Sequence, residues 1–387
     1  MASAERSVFF VTCARGVEPV LHAEAKAIGL AKLERQVGGV RFEGTRADGW
    51  RANLRLRTAV RVLQRLERFE ARDGDALYAA VHALEWERWL APAGSLAVQA
   101  QSTESALEHT QFVEQRVKDA VVDRFRSSTG TRPSVDRDDP DLRIHLHLYR
   151  DRATLSLDTS GEALHKRGWR LHQGRAPLAE NLAAAILLQS GWDERAPLLD
   201  PFSGSGTIAI EAAWLAAGIA PGSRRAFGFE RWLDHDRAGY TAARAAVVAL
   251  AETRRTRKRP ILLGSDLEPE RVAEARANAE NAGVAEWVRF EVADARLLEL
   301  KRGWNAWIVC NAPYGVRVGG GAGAGEAAEL LALYRAFGAR LREHGSGSTL
   351  ALLALEDEHL RALGLHGLRR TPLVNGGLEC VLASGTI

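Results

Sequence analysis

Asp200-Pro201-Phe202-Ser203-Gly204-Ser205-Gly206-Thr207 follows the short apolar run Ala196-Pro197-Leu198-Leu199 and precedes Ile208-Ala209-Ile210-Glu211-Ala212-Ala213. The run before it has the composition of a buried parallel strand, and the segment after it that of a helix. Strand, glycine turn and helix make a nucleotide-binding arrangement. Gly204 and Gly206 let the backbone turn tightly and leave no side chain where a cofactor must approach, and the helix start offers free N–H groups. Taken alone, such a turn can simply join a strand to a helix. No Gly-Lys-Ser/Thr follows, so it is not a phosphate loop, and the full Gly-x-Gly-x-x-Gly of dinucleotide folds is missing. The pattern points to a cofactor without a pyrophosphate, with Asp200, Phe202, Ser203, Gly204, Ser205, Gly206 and Thr207 as candidate contacts.

Two aspartates at later strand ends extend the pattern, because an open α/β sheet binds ligands outside the carboxyl ends of its strands. Ile261-Leu262-Leu263-Gly264-Ser265-Asp266 ends on Asp266, a candidate acceptor for both ribose hydroxyls. Val288-Arg289-Phe290-Glu291-Val292-Ala293-Asp294 ends on Asp294, a candidate acceptor for an adenine amine. Either aspartate alone serves as readily as a helix cap or turn former. Between them Glu270 to Ala282 is alanine-rich and stops at Gly283, as a crossover helix requires.

A fourth apolar run, Ala306-Trp307-Ile308-Val309-Cys310, delivers Asn311-Ala312-Pro313-Tyr314 to the same edge of the sheet. An exocyclic amine on a purine is a poor nucleophile, since its lone pair is delocalised into the ring. A site that methylates it should accept both N–H hydrogens, and the Asn311 side-chain oxygen and the Ala312 carbonyl are natural acceptors. Tyr314 would stack on the base, an interaction of about 1–3 kcal/mol that helps offset extraction of the base from its neighbours. In isolation Asn311-Ala312-Pro313 is an ordinary Asn-x-Pro turn.

At this point the chain resembles the class I S-adenosylmethionine-dependent methyltransferases, and in particular the THUMP-domain RNA guanine-N2 methyltransferases. Within that family it looks like the N-terminal half of the fused bacterial enzymes that modify guanine in 23S ribosomal RNA, and like stand-alone homologues of that half. The resemblance runs through Phe10-Val11-Thr12-Cys13-Ala14-Arg15-Gly16, Leu155 to Gly161, Leu164-His165-Lys166-Arg167-Gly168-Trp169-Arg170, Ala176 to Ala183, Phe229 to Trp232 and Asn375 to Cys380. It implies S-adenosylmethionine as cofactor, with Pro177 and Glu180 beside it in a segment that crosses the site. It also implies direct methyl transfer, which needs neither a metal nor a covalent enzyme intermediate. The family motif is Asn-Pro-Pro-Tyr, so Ala312 is a departure; alanine keeps the backbone carbonyl but loosens φ.

Three other activities share parts of the pattern. A tRNA guanine-N2 enzyme has the same domain plan, and adenine N6 is chemically close. A protein-glutamine N5 methyltransferase can use the same logic on a side-chain amide, against which the RNA-type N-terminal half argues. A non-enzymatic RNA-binding ribosome-assembly factor draws support only from Ala312.

With 387 residues the chain exceeds one typical core. The expected fold is α/β: a Rossmann-like class I methyltransferase domain (176–387) preceded by an α+β ferredoxin-like unit (1–66), a THUMP domain (67–158) and a linker (159–175). The βα alternation of the first unit comes from the residues; the name THUMP, and RNA docking by that domain, come from the resemblance. Leu142 to Leu148 alternates as a strand, with Ala153 to Leu157 as its partner. His145 and His147 share one face of it, but no third ligand is evident, so no metal site is expected.

Cys13, Cys310 and Cys380 are too few and scattered for a metal site or a disulfide framework. No signal segment and no membrane-spanning apolar run appears, so a bacterial cytoplasm is the expected compartment, with no membrane partner. The net charge of +3 is weak support for nucleic-acid binding, so RNA contacts must come from local clusters. Lys166, Arg167, Arg170 and Arg175 in the linker are the candidates, and Arg254 to Arg259 reads as a solvated loop. Gly319 to Gly325, a low-complexity stretch after Tyr314, is either a tolerated insertion or a mobile lid that brings Arg317 to phosphate. The expected partner is RNA, ribosomal RNA first and tRNA second, either naked or in an assembling ribosomal particle.

Overall fold

The computed structural model describes residues 6–172, 178–255, 258–301, 303–315, 324–355 and 357–387. The chain begins with β1 (Ser7–Thr12), α1 (Glu18–Ala27), β2 (Ala31–Gln36), β3 (Gly39–Gly44), α2 (Arg46–Arg55) and β4 (Arg61–Glu70), a ferredoxin-like βαββαβ order. Helix α2 starts where the sequence dictates: the Thr45 hydroxyl accepts from Asp48 N, and the Asp48 carboxylate accepts from Thr45 N at 2.8 Å, a closed capping box. Next come α3 (Gly74–His82), β5 (Ser95–Thr103), α4 (Thr110–Thr129), β6 (Ser134–Val135), β7 (Leu142–Tyr149) and β8 (Arg152–Asp158).

These strands form one eight-stranded sheet in the order β2-β3-β1-β4-β8-β7-β5-β6. The seam is antiparallel pairing of β4 with β8, from Leu63 opposite Asp158 to Glu70 opposite Arg152, with an irregularity between Arg65 and Glu67. Strand β4 therefore runs through the point between residues 66 and 67 where the sequence places a domain boundary. Along β7 the period of two buries Leu142, Ile144, Leu146 and Leu148 in a core shared with α1 to α4.

The second half contains α5 (Glu180–Gln189), β9 (Leu198–Asp200), α6 (Thr207–Ala216), α7 (Arg237–Arg255), β10 (Leu262–Asp266), α8 (Pro269–Asn281), β11 (Val288–Val292) and β12 (Trp307–Asn311). It closes with α9 (Ala324–His344), β13 (Thr349–Ala354), α10 (Asp357–Ala362), β14 (Arg369–Asn375) and β15 (Leu378–Thr386). The sheet order is β11-β10-β9-β12-β13-β15-β14. Strands β9 to β13 pair in parallel, and β15 runs antiparallel to β13. The chain leaves β9 toward β10 on one side and reaches β12 on the other, so a topological switch point lies at the carboxyl ends of β9 and β12.

The two halves are joined through core contacts. The segment between α6 and β10 buries Phe227, Phe229, Trp232 and Tyr240 in the N-terminal core, with the Trp50 ring of α2 5.8 Å from that of Tyr240. Arg57 donates to the carbonyls of Trp214 (3.3 Å) and Ile219 (2.6 Å) at the end of α6. From the linker, Arg167 pairs with Glu211 of α6 at 3.3 Å, with 1% and 0% of the two side chains exposed. It also donates to the carbonyls of Leu164 and Arg57.

Breaking a buried pair by removing one partner leaves an uncompensated charge, a loss of about 3–5 kcal/mol. Glu211→Ala should lower the unfolding free energy by about that amount in urea titration. A loss under about 1 kcal/mol, the range of exposed pairs, would mean that the junction relaxes to let water reach Arg167.

Candidate active site

The carboxyl ends of β9, β10, β11 and β12 open into one cavity of about 720 Å³, within the roughly 300–1,000 Å³ of small-molecule sites. Asp200 to Ser205, Thr207, Asp266, Asp294 and Asn311 to Gly315 all line it. The glycine loop is tied down by backbone bonds: Ser203 N donates to Ser265 O at 2.9 Å and Gly206 N to Ser203 O at 2.7 Å. Asp266 completes the tie, its Oδ2 accepting from Gly204 N at 2.9 Å and its Oδ1 from Glu268 N at 3.0 Å. Each carboxylate oxygen can still accept further bonds from a ligand in the cavity.

The two glycines of the loop do different work. Gly204, at φ +50°, has nothing within 4 Å of where a Cβ would stand, so it borders open cavity. Gly206, at φ +87°, would place a Cβ 2.8 Å from the Phe290 ring and 3.0 Å from Ala275 Cβ. Gly206 is not among the residues that line the cavity, and glycine is required there by packing against β11 and α8. The Ser203 hydroxyl is buried and has no hydrogen-bond partner among the described residues. Leaving it so costs about 1–3 kcal/mol, and a polar ligand seated on the loop would satisfy it.

Asp200 is 1% exposed, and burial, reinforced by Asp266, pushes its carboxyl up to about 8. Asp294 moves the other way: the Arg296 guanidinium, donating from Nη2 to Oδ2 at 2.6 Å, holds its carboxyl below the usual range, and the Arg296 backbone N–H adds a bond of 2.9 Å to Oδ1.

At the end of β12 the Tyr314 hydroxyl donates to Asn311 Oδ1, and Tyr334 of α9 donates to Pro313 O at 3.1 Å. Burial raises the Tyr314 phenol well above its ordinary range, so it remains a donor. Ala312 is 2% exposed and packs beside Tyr334 in the core behind the turn. The acceptor expected for an amine is thus engaged by the ring expected to stack on the base.

The linker cations need correction. Arg167 is buried against Glu211 and cannot reach a phosphate without leaving the core. Arg170, with 11% of its side chain exposed, pairs with Glu180 at 2.7 Å and donates to Ser205 and Thr207, so it serves the glycine loop and not RNA. Glu180 is itself buried against Arg170 and is not among the residues that line the cavity. Lys166 is exposed and pairs with Glu162 at 2.8 Å. Arg175, Pro177 and Arg317 lie outside the described residues.

His145 stands 3.5 Å from Asp158, and no group of three metal-capable side chains occurs among the described residues. Nor is any described helix long and apolar enough to cross a membrane. Cavity residues missed in the sequence include Glu268 and Arg271 near the start of α8, Arg296 after β11, and Glu326, Glu329, Leu330 and Leu333 of α9. The first two follow Asp266 at the start of a helix, a legible signal; the α9 residues carry none.

Residues 167–384 match the family described as RMKL-like, methyltransferase domain. Residues 71–158 match the THUMP domain and residues 8–63 the RlmL ferredoxin-like domain. The chain is 40% identical over 385 residues to the ribosomal RNA large subunit methyltransferase K/L of Stutzerimonas stutzeri (strain A1501), covering 98% of this chain and 52% of that protein. It is 41% identical over 389 residues to its namesake in Syntrophotalea carbinolica, covering 97% and 53%. The chain thus spans about half the length of the curated relatives it matches. Among solved structures it is similar to SMU.472, a putative methyltransferase complexed with SAH, with a TM-score of 0.87 and 28% identity over 99% of each chain. A possible methylase from Clostridium difficile 630 gives 0.89 and 27%, over 99% and 98%. The family match takes in the glycine loop, all three later strand ends and the α9 wall, so the chain belongs to the RMKL-like methyltransferase family, its methyltransferase domain carried behind an RlmL ferredoxin-like domain and a THUMP domain.

Proposed function

We propose that the chain transfers a methyl group from S-adenosylmethionine to the exocyclic N2 amine of a guanine in large-subunit ribosomal RNA. The observation that carries this reading is that the Asn311-Ala312-Pro313-Tyr314 turn and the glycine loop face one cavity. The ribosomal RNA methyltransferase relatives support the substrate, the THUMP match supports RNA, and the SAH complex of SMU.472 supports the cofactor. Ser203, Gly204, Asp266 and Asp294 would hold that cofactor, whose sulfonium supplies an electrophilic methyl group.

The chain's own part is to orient the amine. Asn311 Oδ1 and the Ala312 carbonyl accept its two hydrogens, which turns the lone pair toward the glycine loop. At Asn311 the incoming N–H replaces the Tyr314 hydroxyl, and the released ring becomes free to stack on the base. Extraction of that base from its neighbours costs a few kcal/mol, and stacking returns about 1–3 kcal/mol. The surplus amine proton leaves to solvent after transfer.

Purified chain should be incubated with labelled S-adenosylmethionine and, separately, undermodified large-subunit ribosomal RNA, precursor ribosomal particles and tRNA, with nucleosides read by mass spectrometry. N2-methylguanosine in ribosomal RNA is the expected product. Label confined to tRNA would overturn the target, N6-methyladenosine the atom, and no label in any substrate the enzymatic reading. Asn311→Ala should lower the rate about 10²- to 10³-fold, as loss of one preorganised hydrogen-bonding group does, while SAH binding is retained.

A neutral Asp200 spares the cavity a second negative charge beside Asp266. Because its carboxyl is raised from 3.8 to about 8, the folded chain keeps a proton that the unfolded chain gives up. The stabilisation from this group is therefore complete below the unfolded value and is lost as pH rises to about 8. Urea titrations across that window should show wild-type stability declining with pH and the Asp200→Asn variant staying flatter. Equal slopes would assign the decline to other groups.

A further inference from the structure

Arg170 lies in the linker and does not line the cavity, yet three residues that do line it are held by its guanidinium. Nη1 donates to Ser205 Oγ at 3.2 Å, and Nη2 donates to Thr207 Oγ1 and to Leu178 O, both at 3.0 Å. Nε donates to Glu180 Oε1 at 2.7 Å. Ser205 and Thr207 border the glycine loop at the start of α6, Leu178 closes another side of the cavity, and Glu180 opens α5.

A cation at a helix N-terminus opposes the helix dipole. Arg170 sits beside the first residue of α6, so its charge needs compensation, and Glu180, 3% exposed, supplies it. What remains is a planar fork whose other N–H groups are set on the hydroxyls of Ser205 and Thr207. Lysine has no such fork.

A second tie from the same stretch of linker supports the arrangement. Asn278 of α8 is fully buried and accepts from Leu171 N at 2.8 Å and His172 N at 3.1 Å on its oxygen. Its nitrogen donates to His172 O at 3.1 Å and Ser205 O at 3.0 Å. Ser205 is thus fixed at its side chain by Arg170 and at its carbonyl by Asn278. No side chain caps α6, whose N-cap is Gly206, so at Ser205 the linker's Arg170 and Asn278 of α8 add side-chain ties to the backbone bonds that hold the loop.

We infer that Arg170 is a positioning residue for the cofactor: from the linker it fixes Ser205, Thr207 and Leu178 in the shape that binds the nucleoside thioether. The inference rests on the methyltransferase reading only for the identity of that ligand. It makes cofactor affinity a property of the chain between the THUMP domain and the methyltransferase domain, and not of the glycine loop alone.

The test is calorimetric titration of the full chain with SAH, joined to methylation kinetics at varied S-adenosylmethionine. Arg170→Ala and Arg170→Lys should each weaken SAH binding at least about tenfold, the effect of losing a charge-assisted hydrogen bond. KM for S-adenosylmethionine should rise while kcat at saturating cofactor stays near wild type. A merely structural role would lower the melting temperature and leave SAH affinity unchanged in the folded protein, which would overturn the inference, as would a lower kcat with unchanged affinity. Should the single variants fail to fold because Glu180 is left buried and unpaired, Arg170→Gln combined with Glu180→Gln removes both charges and carries the same expectation. Wild-type chain that takes up no SAH would remove the cofactor reading and this inference together; wild-type binding with unaltered variants would remove only this one.

Discussion

Helix α6 is buried on nearly every side, and the charge of Glu211 in its middle constrains the rest of the molecule. A carboxylate at 0% exposure persists only with a partner, and that partner, Arg167, comes from the linker. The N-terminus of the same helix carries the glycine loop. Glycine loop, linker and first domain therefore meet on one ten-residue helix. Arg57 strengthens the junction by donating to carbonyls at the other end of α6, where orphan acceptors need donors.

Much of this was legible in the sequence, because strands buried on both faces read as continuous apolar runs and the residues at their ends fall on one edge of the sheet. The positions of Asp266, Asp294 and the turn at Asn311 on the cavity edge are legible in that way. Charge was visible but burial was not. Arg167 and Arg170 looked like a solvent-facing basic cluster, since nothing local marks Glu211, 44 positions on, as the partner of Arg167. Likewise Gly204 and Gly206 look equivalent in sequence; only the Phe290 ring, from another strand, separates their roles. The α9 wall of the cavity follows a glycine-rich stretch whose length fixes no register, so no spacing in the sequence points to it.

The segment between α6 and β10 carries a structural task. Phe227, Phe229, Trp232 and Tyr240 are an aromatic group delivered by the methyltransferase half into the core of the other half. Aromatic rings of this size dominate core energetics, so the relative placement of the two halves is set by packing as well as by the linker.

Continuity of the N-terminal sheet has a consequence for how the molecule comes apart. Strands β4 and β8 each complete the other's hydrogen bonding along most of their length. Either unit on its own would present a long edge of unpaired amides and carbonyls, broken in β4 only by the irregularity between Arg65 and Glu67, the kind of edge that recruits other chains. Sequence families divide the two units at residues 63 and 71, but β4 spans that gap, so one sheet extends across the division. The units are separate as evolutionary modules and one body as folding material, and a cut between them would trade solubility for aggregation.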